Sequence, residues 1–266
     1  MYFIRSAVAS VLVFFCCGIH SAEASSFGRF FQGPHQFSLG PEFFHMRRTK
    51  EGGGRKDGWL YGVHFRYDRV RPCSLYWGMD AYWAKGTLRG STSSGSPCKS
   101  IKTDMNVEGR LGYTFAIPRV SHLLFSPYVG GGGFWGINNF QDPTPVPIKL
   151  RNTFQFVSLG FRSQISCSPS IDLGLNFATK FMLDGRSNVC DDPIFDDDTL
   201  IMESKNHYEV EVPITYTYCC GDRTYQWILE PFYRYRHYGH HDNFPFDFLE
   251  TRFQIFGVML LMSTSF

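Results

Sequence analysis

The sequence predicts an all-β fold, a single antiparallel transmembrane β-barrel of about ten strands, with eight or twelve as the neighbouring counts. Three observations predict it. Apolar and polar residues alternate with period two from Gln36 to Phe266, the repeat of strands with one apolar and one polar face. Aromatic residues reach 17% of the chain and gather at the ends of the alternating runs, as interfacial girdles do. The connections between runs are short and long in turn. A soluble sandwich has no reason to segregate its connections, whereas a spanning barrel puts short turns at one end and long loops at the other.

The N-terminus reads separately. Arg5, an apolar run over 7–17 and Ala22-Glu23-Ala24 make a secretory signal peptide with cleavage after Ala24. A lipoprotein reading at Cys16 or Cys17 lacks the small preceding residue that lipid attachment requires. Residues 25–266 then form one barrel domain. A net charge of +2 implies neither nucleic acid nor an acidic surface as partner. After Ala24 the longest apolar run, 256–262, is far short of the roughly 18 residues of a spanning helix, so any spanning is done by strands. No phosphate-binding loop or Cys-x-x-Cys pair occurs, and no cofactor is called for.

The ten runs follow in order. Residues 36–46 alternate loosely. Residues 58–69 set Trp59, Tyr61, Val63, Phe65 and Tyr67 against Leu60, Gly62, His64, Arg66 and Asp68. Residues 75–86 are looser, and 104–117 oppose Met105, Val107, Leu111, Tyr113 and Phe115 to Asn106, Glu108, Arg110 and Thr114. After 123–136 and 152–165, residues 171–183 oppose Ile171, Leu173, Leu175 and Phe177 to Asp172, Asn176 and Lys180. Residues 207–218 alternate Tyr208, Val210, Val212, Ile214, Tyr216 and Tyr218 with Glu209, Glu211, Thr215 and Thr217; 225–237 and 251–266 complete the set. Tilted spanning strands need about 9 to 11 residues, which every run supplies. Segments 70–74, 118–122, 166–170 and 219–224 are the turns; 47–57, 87–103, 137–151, 184–206 and 238–250 are the loops. Pro41, Pro127, Pro213 and Pro231 fall inside runs and each removes a ladder hydrogen bond, so at least one marks a bulge or a misplaced boundary. In the last run Arg252 and Gln254 share the parity of the apolar set, which requires a bulge near Gly257 or a change of environment above the bilayer.

The terminal Phe266, preceded by Val258, Leu260, Met262 and Thr264 at two-residue spacing, resembles the assembly signal of bacterial outer-membrane β-barrel proteins. Pro127-Tyr128-Val129-Gly130 followed by Gly131 to Gly133 resembles strands of small members of that group. The resemblance implies an integral outer-membrane location, with outer-membrane lipids and the barrel-assembly machinery as partners.

With the apolar faces toward lipid, the other faces send Arg66, Glu108, Arg110, Arg162, Glu209, Glu211, Glu230 and Arg234 inward, with His64, Asp68, Asp80, Asp172, Lys180 and Arg236. A lumen of about ten strands is narrow, and unpaired buried charges are costly, so these groups are expected to pair and to close it. A continuous network argues for a structural or surface-interacting barrel; a gap along the axis argues for a narrow solute- or ion-selective channel.

Six of the eight cysteines follow residue 24, an even number for an oxidising compartment. Cys73, Cys167, Cys219 and Cys220 fall on periplasmic turns, Cys98 and Cys190 on external loops. An apolar band about 25 Å tall separates the sides, and a disulfide spans about 6 Å between Cα atoms. If all bonds are internal, Cys98 pairs with Cys190. The cysteine content is similar to that of chlamydial outer-membrane proteins, which implies disulfide-linked envelope partners for some turn cysteines.

At the outer rim, His237-Tyr238-Gly239-His240-His241-Asp242 is the densest cluster of metal-binding or catalytic side chains. It resembles the histidine-containing end of lipid A deacylase barrels, but Gly239 stands where that family has its serine. An omptin-like protease would draw on Asp184, Asp242 or Asp247 with His240 or His241, without a motif match. Asp191, Asp192 and Asp196 to Asp198 form an acidic stretch without EF-hand spacing. Arg47, Arg48, Lys50, Arg55 and Lys56 make the first loop basic, which holds loops together or steers a partner. The residues favour a non-enzymatic barrel with no metal site.

Overall fold

The computed structural model describes residues 35–117, 123–145, 147–191, 198–220, 223–243 and 247–265. Residues 1–24, read above as a signal peptide, and Phe266 lie outside the described residues. The strands are β1 (His35–Lys50), β2 (Arg55–Arg69), β3 (Ser74–Ser91), β4 (Pro97–Ile117), β5 (Leu123–Gln141), β6 (Lys149–Ser168), β7 (Ile171–Met182), β8 (Gly185–Cys190), β9 (Asp198–Ser204), β10 (Asn206–Glu211), β11 (Ile214–Cys220), β12 (Arg223–Gly239) and β13 (Thr251–Ser265). Pairing is antiparallel throughout, and β1 joins β13 from Gln36↔Ser265 to Lys50↔Thr251, which closes the ring. Closure leaves no unpaired edge in the hydrocarbon, the condition for spanning with strands.

The thirteen strands make ten staves. β8 takes over from β7 along the outer end of β6. β9, β10 and β11 succeed one another in the next stave, β10 and β11 both lying between β7 and β12. The predicted run 207–218 is therefore broken, and the break is at Pro213. Without an N–H, Pro213 cannot continue the ladder; the Val212 amide turns to the Pro231 carbonyl at 3.0 Å, and the Pro213 carbonyl accepts from the Gly174 amide at 2.8 Å. Pro41 and Pro127 sit beside gaps in the β1–β13 and β4–β5 registers, while Pro231 stays in register opposite Val258. No bulge occurs at Gly257. The β12–β13 register runs unbroken from Thr224↔Ser265 to Tyr238↔Thr251, so the exposed Arg252 and Gln254 reflect a change of environment.

The segments 87–103, 137–151 and 184–206, predicted as loops, are mostly strand. Once out of the membrane the hairpins keep pairing, because the ladder still satisfies their backbone groups, while the alternation that betrays a lipid face stops. Continuous strands of 15 to 21 residues rise about 3.4 Å per residue, and tilted near 45° they stand roughly 35–50 Å tall. That exceeds an apolar band of about 25 Å, so the wall projects beyond the bilayer on the loop side.

The outward face places Val63, Met79, Val107, Leu111, Val129, Leu159 and Leu229 in the open, an apolar surface too extensive for a water-soluble monomer. Aromatics border it. Trp83, Met105 and Trp135 are register neighbours on β3, β4 and β5, and toward the turns Tyr67 meets Trp77 at 4.8 Å and Tyr218 stacks on Tyr225 at 5.5 Å between ring centroids. The inward face is not polar throughout. Phe44, Met46, Leu60, Phe134, Phe154, Phe156, Phe253 and Ile255 are buried in the loop-side half of the lumen, an interior apolar cluster that the sequence reading had not separated from the lipid face.

Candidate functional site

Alternation brings the charged side chains of seven strands to one level, where they form a closed circuit. Asp80 on β3 accepts from His64 Nε2 at 3.0 Å; His64 Nδ1 faces Glu42 Oε2 on β1 at 3.1 Å. Glu42 binds Arg234 on β12, and Arg234 binds Glu209 on β10. Glu209 and Glu108 share Lys180 Nζ of β7, each at 2.9 Å. Glu108 on β4 takes Arg110 Nη2 at 3.2 Å, and Arg110 returns to Asp80 at 3.7 Å. Arg66 stands across the circuit with its guanidinium divided among three carboxylates: Nε to Asp80 at 3.0 Å, Nη1 to Glu230 at 2.7 Å, Nη2 to Glu211 at 3.1 Å. Its residue is 2% exposed. Buried charges are costly unless paired and hydrogen-bonded, and this arrangement pairs each charge, with Arg110 Nε and Arg234 Nη2 left without a hydrogen-bond partner.

Layers lie on either side. Toward the turns, Asp68 accepts from Tyr76 Oη at 2.8 Å and pairs with the half-buried Arg162, beside a cavity of about 40 Å³, a size that admits a water or two. Toward the loops, Asp104 takes Lys102 Nζ at 2.8 Å and Arg236 Nη1 at 2.5 Å, under the aromatic cluster. Small residues make the room. A Cβ at Gly130 would lie 2.4 Å from Ser158 Oγ, which donates to Glu108 at 2.7 Å, and one at Gly136 would lie 2.7 Å from Lys102 Nζ.

Sequence reasoning missed Glu42 and Lys102. Glu42 has the inward parity of Phe44 and Met46, a signal that was present in the loosely alternating run; Lys102 fell in a segment read as loop.

Neither a protein-family model nor a curated protein matches the chain. Among solved structures, it is similar to the outer-membrane protease OmpT of Escherichia coli, with TM-score 0.53 and 11% identity over 87% of this chain and 96% of that one. It also matches the translocator domain of the autotransporter NalP of Neisseria meningitidis at TM-score 0.46 and 7% identity, over 91% and 92% of the two chains. The fold is that of an outer-membrane β-barrel.

At the rim, His240 and Glu250 meet Glu51 of the β1–β2 turn. His240 sits between Glu51 at Nδ1 and Asp242 at Nε2, both at 3.0 Å, and the Glu51 amide donates to the Glu250 carbonyl at 2.9 Å. His240, Asp242 and Asp247 offer ligand atoms within 4.8 Å of one another. With both ring nitrogens against carboxylates, imidazolium is the matching form, and it has no lone pair for a metal. Asp242 is 92% exposed on its side chain, so the group stands in solvent rather than in a cleft. Asp184 pairs locally with Arg186, and His237 with Glu250 at 2.9 Å; the Arg252 hydrogen bond, then that of His237, holds the Glu250 carboxyl below its ordinary range. Of the acidic stretch, Asp191 and Asp198 are described, and Asp192, Asp196 and Asp197 lie outside the described residues.

The carboxylates of Asp242 and Glu51 raise the His240 pKa. Since the folded value is the higher one, the loop-to-turn link is fully present below the ordinary histidine value of about 6.5 and is lost as pH rises through the raised value. An imidazole NMR titration checks this: Glu51→Gln is expected to move the His240 midpoint down, and an unmoved midpoint contradicts the link.

Cys98 is buried on β4 with the inward parity of Ser100 and Lys102, while Cys190 on β8 has the parity opposite to the buried Ser187 and Val189. Both are free thiols, and β5 and β6 run between their strands. Three strand steps of about 4.8 Å and opposite faces keep them apart. The loop-tip proximity assumed from the sequence disappears because the predicted loops are barrel wall. Cys73 and Cys167 are exposed at the turn end, and Cys219 and Cys220 close β11 there.

Proposed function

We propose that the protein is a non-enzymatic, integral β-barrel of a bacterial outer membrane, exported through a cleaved signal peptide. In this reading its lumen is closed by paired charges, and its projecting hairpins meet partners outside. The observation that carries the reading is the circuit from Asp80 through His64, Glu42, Arg234, Glu209, Lys180, Glu108 and Arg110, with Arg66 across it. Such a network ties up the inward charges that would otherwise line an ion path, and the aromatic cluster on the loop side supports closure because it lacks the polar lining that conduction requires. The exposure of the His240 and Asp242 group supports a non-catalytic rim, since rim catalysis needs perturbed groups converging in a cleft.

The test is single-channel conductance of the refolded protein in a planar bilayer, with heat-modifiable gel migration as the folding control. A folded barrel without discrete openings is the expected result. Ion-selective openings would replace this reading with a narrow channel whose filter is the circuit itself.

A further inference from the structure

The outer mouth of the barrel holds charge that the circuit does not use. β1 and β2 bring Arg48 and Lys56 directly opposite each other in register. Both point inward, at 9% and 4% exposure. Like charges facing each other across a strand pair repel, and a buried charge without a counter-charge is costly. Among the described residues no carboxylate pairs with either. Arg48 Nε has no hydrogen-bond partner. Lys56 Nζ reaches Ser100 Oγ at 3.1 Å, the face of Phe140 at 3.7 Å and the Cys98 thiol.

The two cations line an open cavity of about 310 Å³ together with the β3–β4 hairpin, Phe140, Ile148 and Leu249, with Lys50 and Arg55 also on its wall. Glu51, the acid on that wall, is committed to His240 and to the Glu250 amide. The remainder is largely apolar, with Phe140, Pro145, Ile148, Leu150 and Leu249. A pocket of this size, mostly apolar with a few convergent polar groups, is of the kind that takes a small molecule.

We propose that this cavity binds a small amphipathic anion. One carboxylate or sulfonate group sits between Arg48 Nε and Lys56 Nζ, supplying the hydrogen bond that Arg48 Nε lacks and the countercharge that both lack, and an apolar body lies against Phe140, Ile148 and Leu150. The site is above the circuit and stands whether or not the lumen conducts.

The experiment is calorimetric titration of the refolded protein, held in amphipol, with phenylbutyrate. Phenylbutanol supplies the same body without charge, and butyrate the charge without the body. Phenylbutyrate is expected to bind saturably at one site, and each control at least tenfold more weakly. Arg48→Gln and Lys56→Gln are each expected to weaken binding tenfold or more, while Arg186→Gln, at an exposed arginine of β8, leaves it unchanged. Because these substitutions remove repulsion rather than a partner, heat-modifiable migration is expected to report folded barrels with unfolding temperatures equal to or above that of the parent. Equal binding of the acid and the alcohol, unaltered binding in both variants, or no saturable binding of the acid up to about 10 mM overturns the proposal.

Discussion

Replacing Arg66 with alanine is expected to destabilise the barrel by about 3–5 kcal/mol, the cost of removing one partner from a buried ionic network. The reason is what stays behind. Asp80, Glu211 and Glu230 all turn to this one guanidinium, and without it the last two carboxylates are left buried together without a shared cation. Urea unfolding followed by heat-modifiable migration measures the loss. Arg186→Ala, which removes an exposed arginine paired with Asp184, is the comparison and is expected to cost about 0–1 kcal/mol. Adding Glu211→Gln and Glu230→Gln to an Arg66→Met background is expected to recover part of the loss, since neutral side chains no longer need the cation. If Arg66→Ala costs no more than Arg186→Ala, the circuit does not hold the lumen closed.

Val129→Arg is expected to destabilise the inserted barrel by about 2–4 kcal/mol, the value for an arginine at the lipid-facing midplane. Val129 is 53% exposed and lies in register between Leu111 and Leu159, about midway on β5 between Phe125 and Trp135. Gln254→Arg places an arginine on the outward face of β13 opposite Tyr235, at the loop-side aromatic border. There the expected cost is about 0–1 kcal/mol. Unfolding titrations in lipid vesicles distinguish the two, and equal costs would show that the belt does not mark the edge of the hydrocarbon.

These two positions also mark the reach of sequence reading. Arg66 belongs to a run whose two faces alternate strictly, so its inward side was legible from parity; Val129 stood in the less regular run 123–136, and its register between Leu111 and Leu159 placed it on the lipid face. Glu42 was legible by the same rule but stood in a run with weak contrast. Lys102 and Ser187 were not, because above the bilayer both faces of a strand are wet or half-wet and period two no longer separates apolar from polar residues. The break at Pro213 was foreseen as one of four candidate irregularities; only the pairing of β10 and β11 with the same two neighbours selected it.

By itself, then, the sequence determined the barrel class, a count of about ten strands and the facing of the residues in its most regular runs, because hydrocarbon surroundings impose a two-residue period on a spanning strand. Tertiary structure alone decided which carboxylate meets which cation, that Cys98 and Cys190 stand on opposite faces, and that Arg48 and Lys56 are stranded together at the mouth. Those outcomes depend on the stagger between strands far apart in the chain, joined as Glu42 is to Arg234 across closure of the ring. A local period carries no information about that stagger; the closing register sets it.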